Sequence, residues 1–454
     1  MSERPRILIN SQHVAGGASS VFAALGDVGI KWGSDNVLDT PNPAQLTCEF
    51  IFRGAVDTSR LRIGHRLELK QRIAGQDITG FSGRIENMQS RLDDNGRLRI
   101  RVTASDSIKE LRSYYVATEW ENDGLREGQM PRIERIRRAL NAGGWQLIGI
   151  EELPPMPFPS AASFYNSITA YALLNRYLSY YGPQVTFFDS SWTYDDGPIT
   201  RRIEVAWMGQ VTAGDTLTTA DGTTWRVAHD TPDGLAQQVL PAGTVLADTE
   251  FEASADSILT TAKVSYQTTR FETNEEEGTT RRVTSLDTVT TSLGAEMLEA
   301  HGNRAVELES SAFATKAQLR EIGRRWLDFT RNEWSPGRVT VPDSRDLPEA
   351  TVAALVSARQ RRLNWWVIHG LQIPTPLGGL ATIRGVATGG DLHYRADRDS
   401  WSSSMSLTDT QIMLPADLNW PFLSEHNDPR FSEAPATAAG DVTFADFTTI
   451  TETR

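Results

Sequence analysis

The chain has 454 residues, of which 39% are apolar and 23% charged, and its formal net charge is −13. This composition excludes a disordered chain, and the length predicts roughly two to four domains of about 100 to 200 residues each. No apolar run approaches the ~20 residues of a membrane-spanning helix, and the acidic excess argues against stable nucleic-acid binding, which is built on Lys and Arg.

The first 115 residues are typical of an antiparallel β unit. Period-two alternation predicts strands over 45–52, 65–73 and 97–104. In the last of these, Arg99 and Arg101 fall on the opposite face from the apolar residues, which indicates a sheet with one face in water. The turn at 94–96 has the sequence Asp-Asn-Gly, which favours a tight hairpin, so residues 83–92 should pair back on the third strand. Gly80 and Gly83 flank Phe81 and predict a bend or bulge that helps a small sheet to close into a barrel.

Cys48 is the only cysteine, which excludes an internal disulfide and a cysteine-based zinc site. It alternates with polar residues in the first predicted strand, so we expect a buried apolar role. The first residues lack the apolar centre of a secretory signal, and we expect the protein to be made and to fold in a cytoplasm.

Helical periodicity appears in four later segments. It predicts helices over about 131–143, 161–181, 315–331 and 348–362. The first two helices indicate a small α/β domain over 116–200. Short glycine-punctuated strands follow in 201–345, with a charged loop at 274–282, and the fourth helix with three strands completes a unit at 346–415.

Residues 416–454 are rich in Pro, Asp, Ser and Thr, with isolated aromatic side chains. We interpret them as an extended docking segment. The candidate contact residues are Trp420, Phe422, Phe444 and Phe447.

The sequence offers little catalytic chemistry. Its seven His residues are dispersed, with no i, i+4 pair, and no nucleophile elbow, phosphate loop or dinucleotide fingerprint is present. The adjacent acidic pairs, such as Asp195 and Asp196, suit turns better than an acid and base of a sugar hydrolase. We expect no catalytic residue, no metal and no cofactor.

Four stretches resemble the tail-hub family of contractile and long-tailed bacteriophages, which shares its plan with the spike hubs of type VI secretion. They are similar in order and spacing to the hub proteins of actinobacterial siphophages: GIKWGSDNVLDTPNPAQLTCEFIF, FSGRIENM, FEASADSILTTAKVSYQ and DRDSWSSSMSLTD. The resemblance spans about residues 21–410. It implies an α+β, β-rich fold with two antiparallel β-barrel domains, the first in 1–115 and the second completed by 346–415, with smaller α/β domains between and beside them.

The resemblance also implies a structural role at the tail tip of a virion. A homotrimer would form a hub ring that joins the six-fold tail tube or distal tail protein ring to a central fibre or other tip proteins, and holds the tape-measure protein. DNA would pass through without specific binding, and we expect acidic residues to line part of the lumen because they repel phosphate. The C-terminal segment is then a candidate contact with the next tip protein.

Two other classes of function stay open from the sequence. One is a tail-associated hydrolase of polysaccharide or cell wall, for which activity lost on substitution of Asp195 or Asp196 would be the evidence. The other is a binding protein, either a distal-tail ring or a receptor-binding protein, which a six-chain mass or a saturable glycan affinity would indicate.

Overall fold

The architecture of the protein is given by a computed structural model, in which β-strands predominate. The structure describes residues 3–17, 23–34, 41–52, 59, 61–116, 132–150, 169–178, 181, 185–191, 201–207, 209–211, 216–218, 224–226, 231–233, 237–241, 243–245, 251–253, 258–274, 279–310, 316–329, 334–336, 338–372 and 380–415.

Seven strands come first in the chain. They are β1 (Arg6–Ile9), β2 (Gln12–Gly16), β3 (Ala24–Gly33), β4 (Asn42–Ile51), β5 (Arg66–Ile73), β6 (Gln76–Leu92) and β7 (Leu98–Ser105). The strands predicted over 45–52, 65–73 and 97–104 are confirmed as β4, β5 and β7. The predicted hairpin is also confirmed, because β6 and β7 pair antiparallel with Leu92 opposite Leu98.

The predicted bulge lies at Gly80. Leu69 on β5 pairs with Phe81, whereas the next residue, Lys70, pairs with Thr79, so Gly80 is the extra residue on β6. A Cβ atom at Gly80 would lie 2.4 Å from a methyl carbon of Leu69, which explains why this position is a glycine.

The first helix, α1 (Ser107–Ser113), was not predicted. It follows β7 directly, and seven residues are too few for helical periodicity to stand out against the alternation before them. Its N-cap is Asp106, whose carboxylate accepts a hydrogen bond from the Ile108 N–H.

A small α/β unit follows. Its elements are α2 (Arg132–Ala142), β8 (Trp145–Ile148), α3 (Ala170–Leu178), β9 (Val185–Asp189) and β10 (Arg201–Trp207). The three strands form a separate sheet in the order β8-β10-β9, with β8 and β10 parallel. The helix predicted over 131–143 is confirmed as α2. Helix α3 lies inside the prediction for 161–181, of which 161–168 and 179–180 fall outside the described residues.

The middle of the chain contains short strands and one long hairpin. Its elements are β11 (Gly209–Val211), β12 (Thr216–Thr218), β13 (Thr224–Arg226), β14 (Thr231–Asp233), β15 (Gln237–Leu240), β16 (Phe251–Ala253), β17 (Thr261–Asn274), β18 (Thr279–Ser292), α4 (Ala295–His301), β19 (Ala305–Ser310), α5 (Lys316–Phe329), β20 (Trp334–Pro336) and β21 (Arg338–Val341). The sheet β18-β17-β19 packs against α5, which confirms the helix predicted over 315–331.

The interpretation of 274–282 as a loop was wrong at both ends. Asn274 belongs to β17 and pairs with Thr279, the first residue of β18. Helix α4 was missed, since it is short and has glycines at both ends.

The chain then returns to the large sheet. The remaining elements are α6 (Glu349–Val356), α7 (Gln360–Leu363), β22 (Trp365–Gln372), β23 (Leu380–Arg395) and β24 (Ser400–Pro415). The prediction of one helix over 348–362 was wrong, because the chain leaves the helix at Ser357. There the Ala358 N–H donates to the Thr79 carbonyl oxygen on β6, 2.9 Å away, instead of continuing the helical ladder.

One sheet of fourteen described strands unites the two ends of the chain. Its main path runs β12-β13-β24-β23-β3-β4-β7-β6-β5-β1-β2, and β15, β21 and β22 pair beside it. Strands β3 and β23 pair antiparallel, with Ile30 opposite Leu392. Both ends therefore share one core, which includes Phe50, Val102, Trp366 and Trp401.

The main path does not close into a ring of paired strands among the described residues. A single parallel bridge joins Ala15 on β2 to Ala23, the residue before β3, through a 3.1 Å hydrogen bond from the Ala23 N–H to the Val14 carbonyl oxygen. No helix in the described part of the chain has the length and hydropathy for crossing a bilayer.

Candidate interaction groove

Most of the candidate residues predicted from the sequence lie outside the part of the chain that the structure describes. Trp420, Phe422, Phe444 and Phe447 fall outside the described residues, and so do Asp195 and Asp196. Among the described residues, no group of three or more His, Cys, Asp or Glu is placed to hold a metal ion.

The prediction for Cys48 is confirmed. Its side chain is 1% exposed and packs in the main core. Burial raises the pKa of the thiol, because the surroundings cannot solvate a thiolate. The residue is a packing element of β4.

A groove of about 850 Å³ lies on the polar face of the large sheet, where β23, β3, β4 and β7 run side by side. Alternation along each strand creates it: on β3, Val28 and Ile30 point into the core, while Asp27 and Lys31 point outward. The same alternation on β7 turns Arg99 and Arg101 to the groove, as the wet face predicted for this strand requires.

The floor of the groove has no side chain at Gly29, where β3 crosses it. His393 pairs with Gly29, and Gly29 pairs in turn with Thr47 on β4. A Cβ atom at Gly29 would lie 3.1 Å from Nδ1 of His393, so the absent side chain leaves room for the imidazole. A glycine in the strand interior thus marks a close approach.

The groove is cationic although the whole chain is acidic. Its lining contains five basic residues and three carboxylates, an excess of two positive charges that leaves out His393. The basic residues are Lys31, Arg91, Arg99, Arg101 and Arg395, and the carboxylates are Asp27, Glu49 and Asp391.

Each carboxylate in the groove has a partner. Glu49 accepts hydrogen bonds from Arg91 at 3.1 Å and Arg99 at 2.9 Å. Asp391 forms an ion pair with Arg338 at 2.8 Å, and Asp27 accepts from the backbone N–H of Ala396 at 2.9 Å.

Two cations of the groove have no such partner. Within the described part of the chain, the Lys31 ammonium and the Arg101 guanidinium make no hydrogen bond or ion pair, and both residues are exposed. The arrangement can therefore accept carboxylate or phosphate groups of another molecule.

A second cluster of charges lies buried where the small α/β unit meets the large sheet. Asp106 accepts from the Ala44 N–H on β4 at 2.9 Å, and Asp189 on β9 accepts from the Ser107 N–H at 2.7 Å. The Arg362 guanidinium lies over the rings of Trp32 and Phe188, at 5.5 and 5.3 Å from their centroids. These contacts hold the two sheets together.

Burial, with a further contribution from the nearby Asp189 carboxylate and against the opposing effect of Arg362, raises the pKa of the Asp106 carboxyl to about 8. Beside it, Arg361 is 2% exposed and donates to the carbonyl oxygens of Gly80 and Val356, each at 3.0 Å. Burial lowers the pKa of Arg361 well below its ordinary value. Sequence reasoning missed this cluster, since its members come from four separate segments.

Comparison with known proteins shows likeness at the level of structure. No protein-family model matches the chain, and no curated protein matches its sequence. A 43 kDa tail protein of prophage MuSo2 from Shewanella oneidensis is similar with a TM-score of 0.51 and 10% identity, over 90% of this chain and 98% of that one.

Two further solved structures are similar at lower scores. One is a tail protein from Neisseria meningitidis MC58, with a TM-score of 0.48 and 11% identity over 90% of this chain and 96% of that chain. The other is an Escherichia coli protein described as a component of the type VI secretion system with structural similarity to the T4 tail proteins gp27 and gp5; its TM-score is 0.38 and its identity 11%, over 90% and 76% of the two chains. The fold of this chain is therefore similar to that of the Shewanella prophage tail protein.

Proposed function

We propose that the protein is a structural component of a bacteriophage tail and forms a trimeric hub ring at the tail tip. The observation that carries the proposal is the likeness in fold to the Shewanella prophage tail protein over 90% of this chain. In this role it acts through assembly, without catalysis.

The large sheet supports the two-barrel organisation that the hub role requires. The Ala15–Ala23 bridge brings the end of the main path back to β3, so strands β3, β4, β7, β6, β5, β1 and β2 need few further contacts to surround the first core. The bulge at Gly80 adds the curvature that closure needs. The second barrel would be built around β21 to β24, and the pairing of β23 with β3 would join the two.

The sheet β18-β17-β19 supports assembly into a ring. Strand β18 is 14 residues long and pairs only with β17 in the described part of the chain. Its exposed residues include Thr288 and Thr290, and a long free strand edge is a ready site for pairing with another chain. Contacts of this kind that close on a three-fold axis give a trimer.

The proposed hub joins the distal tail protein ring to a central fibre or other tip proteins and holds the tape-measure protein. DNA passes through its lumen without specific binding, and part of the chain's acidic excess lines that lumen. Carboxylates there repel phosphate and keep the passage free of adhesion. The C-terminal segment, with Trp420, Phe422, Phe444 and Phe447, contributes a docking contact at the tip.

The oligomeric state tests this function. Light scattering after gel filtration should give three times the 50.3 kDa of one chain, and negative-stain class averages should show a ring with a central opening. A monomer at micromolar concentration, or a ring of six chains, would contradict the trimeric hub. Hydrolysis of peptidoglycan or capsule by the purified protein would contradict a purely structural role.

A further inference from the structure

The cationic groove and the acidic C-terminal segment of the same chain have complementary charges. Residues 416–454 contain seven Asp and Glu against two Arg, a formal charge of −5. The groove has an excess of two positive charges, and its Lys31 and Arg101 have no partner within the described residues. An acidic segment would supply the carboxylates that these two cations lack.

The aromatic residues of the segment also suit the groove. Trp420 and Phe422 lie close in sequence to Asp417 and Glu425. An aromatic ring can stack on an arginine guanidinium while the neighbouring carboxylates bind other cations. Arg101 and Arg395, which line opposite sides of the groove on β7 and β23, offer guanidinium groups of this kind.

Strand β24 begins at the groove of its own chain and runs away from it. Ser402, near the beginning of β24, lines the groove, whereas Pro415 at its end pairs with Trp225 on β13. At ~3.3 Å per residue, the strand carries the chain about 40 Å away from its own groove before the segment begins. The 39 residues that follow can span at most ~130 Å, so the groove of a neighbouring copy lies within reach, as does the chain's own groove. The proposed ring places such a copy beside each chain, and the crosslinking test below distinguishes the two grooves.

We propose that the C-terminal segment, residues 416–454, docks in the cationic groove of a neighbouring copy of the same chain. The inference rests on the proposed self-assembly and names the partner of the segment. It gives each subunit both a donor segment and an acceptor groove, which is a head-to-tail contact that closes in a ring.

Zero-length carbodiimide crosslinking of the full chain tests this contact. The reagent joins an amine to a carboxylate that touches it, and Lys31, one of five lysines in the chain, is the only lysine that lines the groove. Peptide mapping should recover Lys31 joined to carboxylates of 416–454, and a denaturing gel should show the linked chains as covalent dimers and trimers.

Two variants separate docking from chance proximity. Lys31→Arg keeps the charge but removes the amine, so the mapped crosslinks and the multimers they cause should disappear. Arg101→Glu keeps Lys31 reactive but weakens docking, and the crosslink yield should fall roughly tenfold, which corresponds to about 1.4 kcal/mol. Arg72→Glu, an exposed charge reversal on β5 away from the groove, should leave the yield unchanged.

The results distinguish this contact from the hub role itself. A trimeric mass without Lys31 crosslinks to 416–454, or with such crosslinks inside single chains only, would overturn the docking proposal and leave the proposed function standing. Equal yields in Arg101→Glu and Arg72→Glu would also overturn it. A monomeric mass would contradict the proposed function.

Discussion

The indole N–H of Trp401 donates a 2.7 Å hydrogen bond to the side-chain oxygen of Gln71. Both side chains are buried, and they lie 330 positions apart, on β24 and β5. The bond joins the β23–β24 hairpin to the N-terminal strands inside the main core.

Replacing Gln71 with Leu should destabilise the fold by about 1 to 3 kcal/mol, because the buried indole N–H would lose its acceptor. Urea denaturation followed by Trp fluorescence measures the change in the free energy of unfolding. Gln76→Leu, at an exposed position at the start of β6, is the matched control and should stay within about 0.5 kcal/mol. Equal effects of the two variants would show that the Trp401 bond is unimportant.

Gly83→Ala should be strongly destabilising. The added Cβ would lie 2.3 Å from the Ser105 carbonyl oxygen, so the backbone of β6 or β7 must move. We expect a loss of about 2 to 4 kcal/mol in thermal or urea unfolding. At Gly294, before α4, an added Cβ meets nothing within 4 Å, and Gly294→Ala should be nearly neutral. Similar melting temperatures for both variants would contradict the close approach of Gly83 to the Ser105 carbonyl oxygen.

The Asp106 carboxyl should make stability depend on pH. Its pKa is about 8 in the folded chain, against ~3.9 when unfolded, so between these values the folded state binds more protons. Its contribution is fully present below about pH 4 and is lost as the pH rises towards 8, at up to ~1.4 kcal/mol per pH unit.

The variant Asp106→Asn isolates this contribution, because Asn does not titrate and still caps α1. Between pH 5.5 and 7.5, the wild type should lose stability relative to Asp106→Asn in urea denaturation. Asp94→Asn, in the exposed turn after β6, should give a curve parallel to the wild type. A parallel curve for Asp106→Asn as well would mean that Asp106 is ionised in the folded chain.

Cys48 should not react with a thiol reagent such as Ellman's reagent while the chain is folded. It is 1% exposed, and burial raises the pKa of its thiol. One thiol per chain should react in 6 M guanidinium chloride. Fast reaction of the native protein would place β4 at the surface, contrary to the core described above.

Several elements could be predicted because their signals are local. Alternation identified β4, β5 and β7, the Asp-Asn-Gly turn identified the β6–β7 hairpin, and three- and four-residue spacing identified α2 and α5. Short elements such as α1 were missed, because seven residues are too few for helical spacing to be recognised directly after the alternation of a strand. The break at Ser357 could not be predicted, since its cause is the distant Thr79 carbonyl oxygen.

The sequence by itself determined which side chains of β4 and of most of β7 face the core, because alternation along a strand is a property of the chain alone. It indicated that Arg99 and Arg101 face water, and that Cys48 is buried. Only the tertiary structure decided which strands lie side by side. The pairing of β23 with β3 brings His393 beside Gly29 across more than 360 residues, and it is this long-range pairing that assembles the cationic groove.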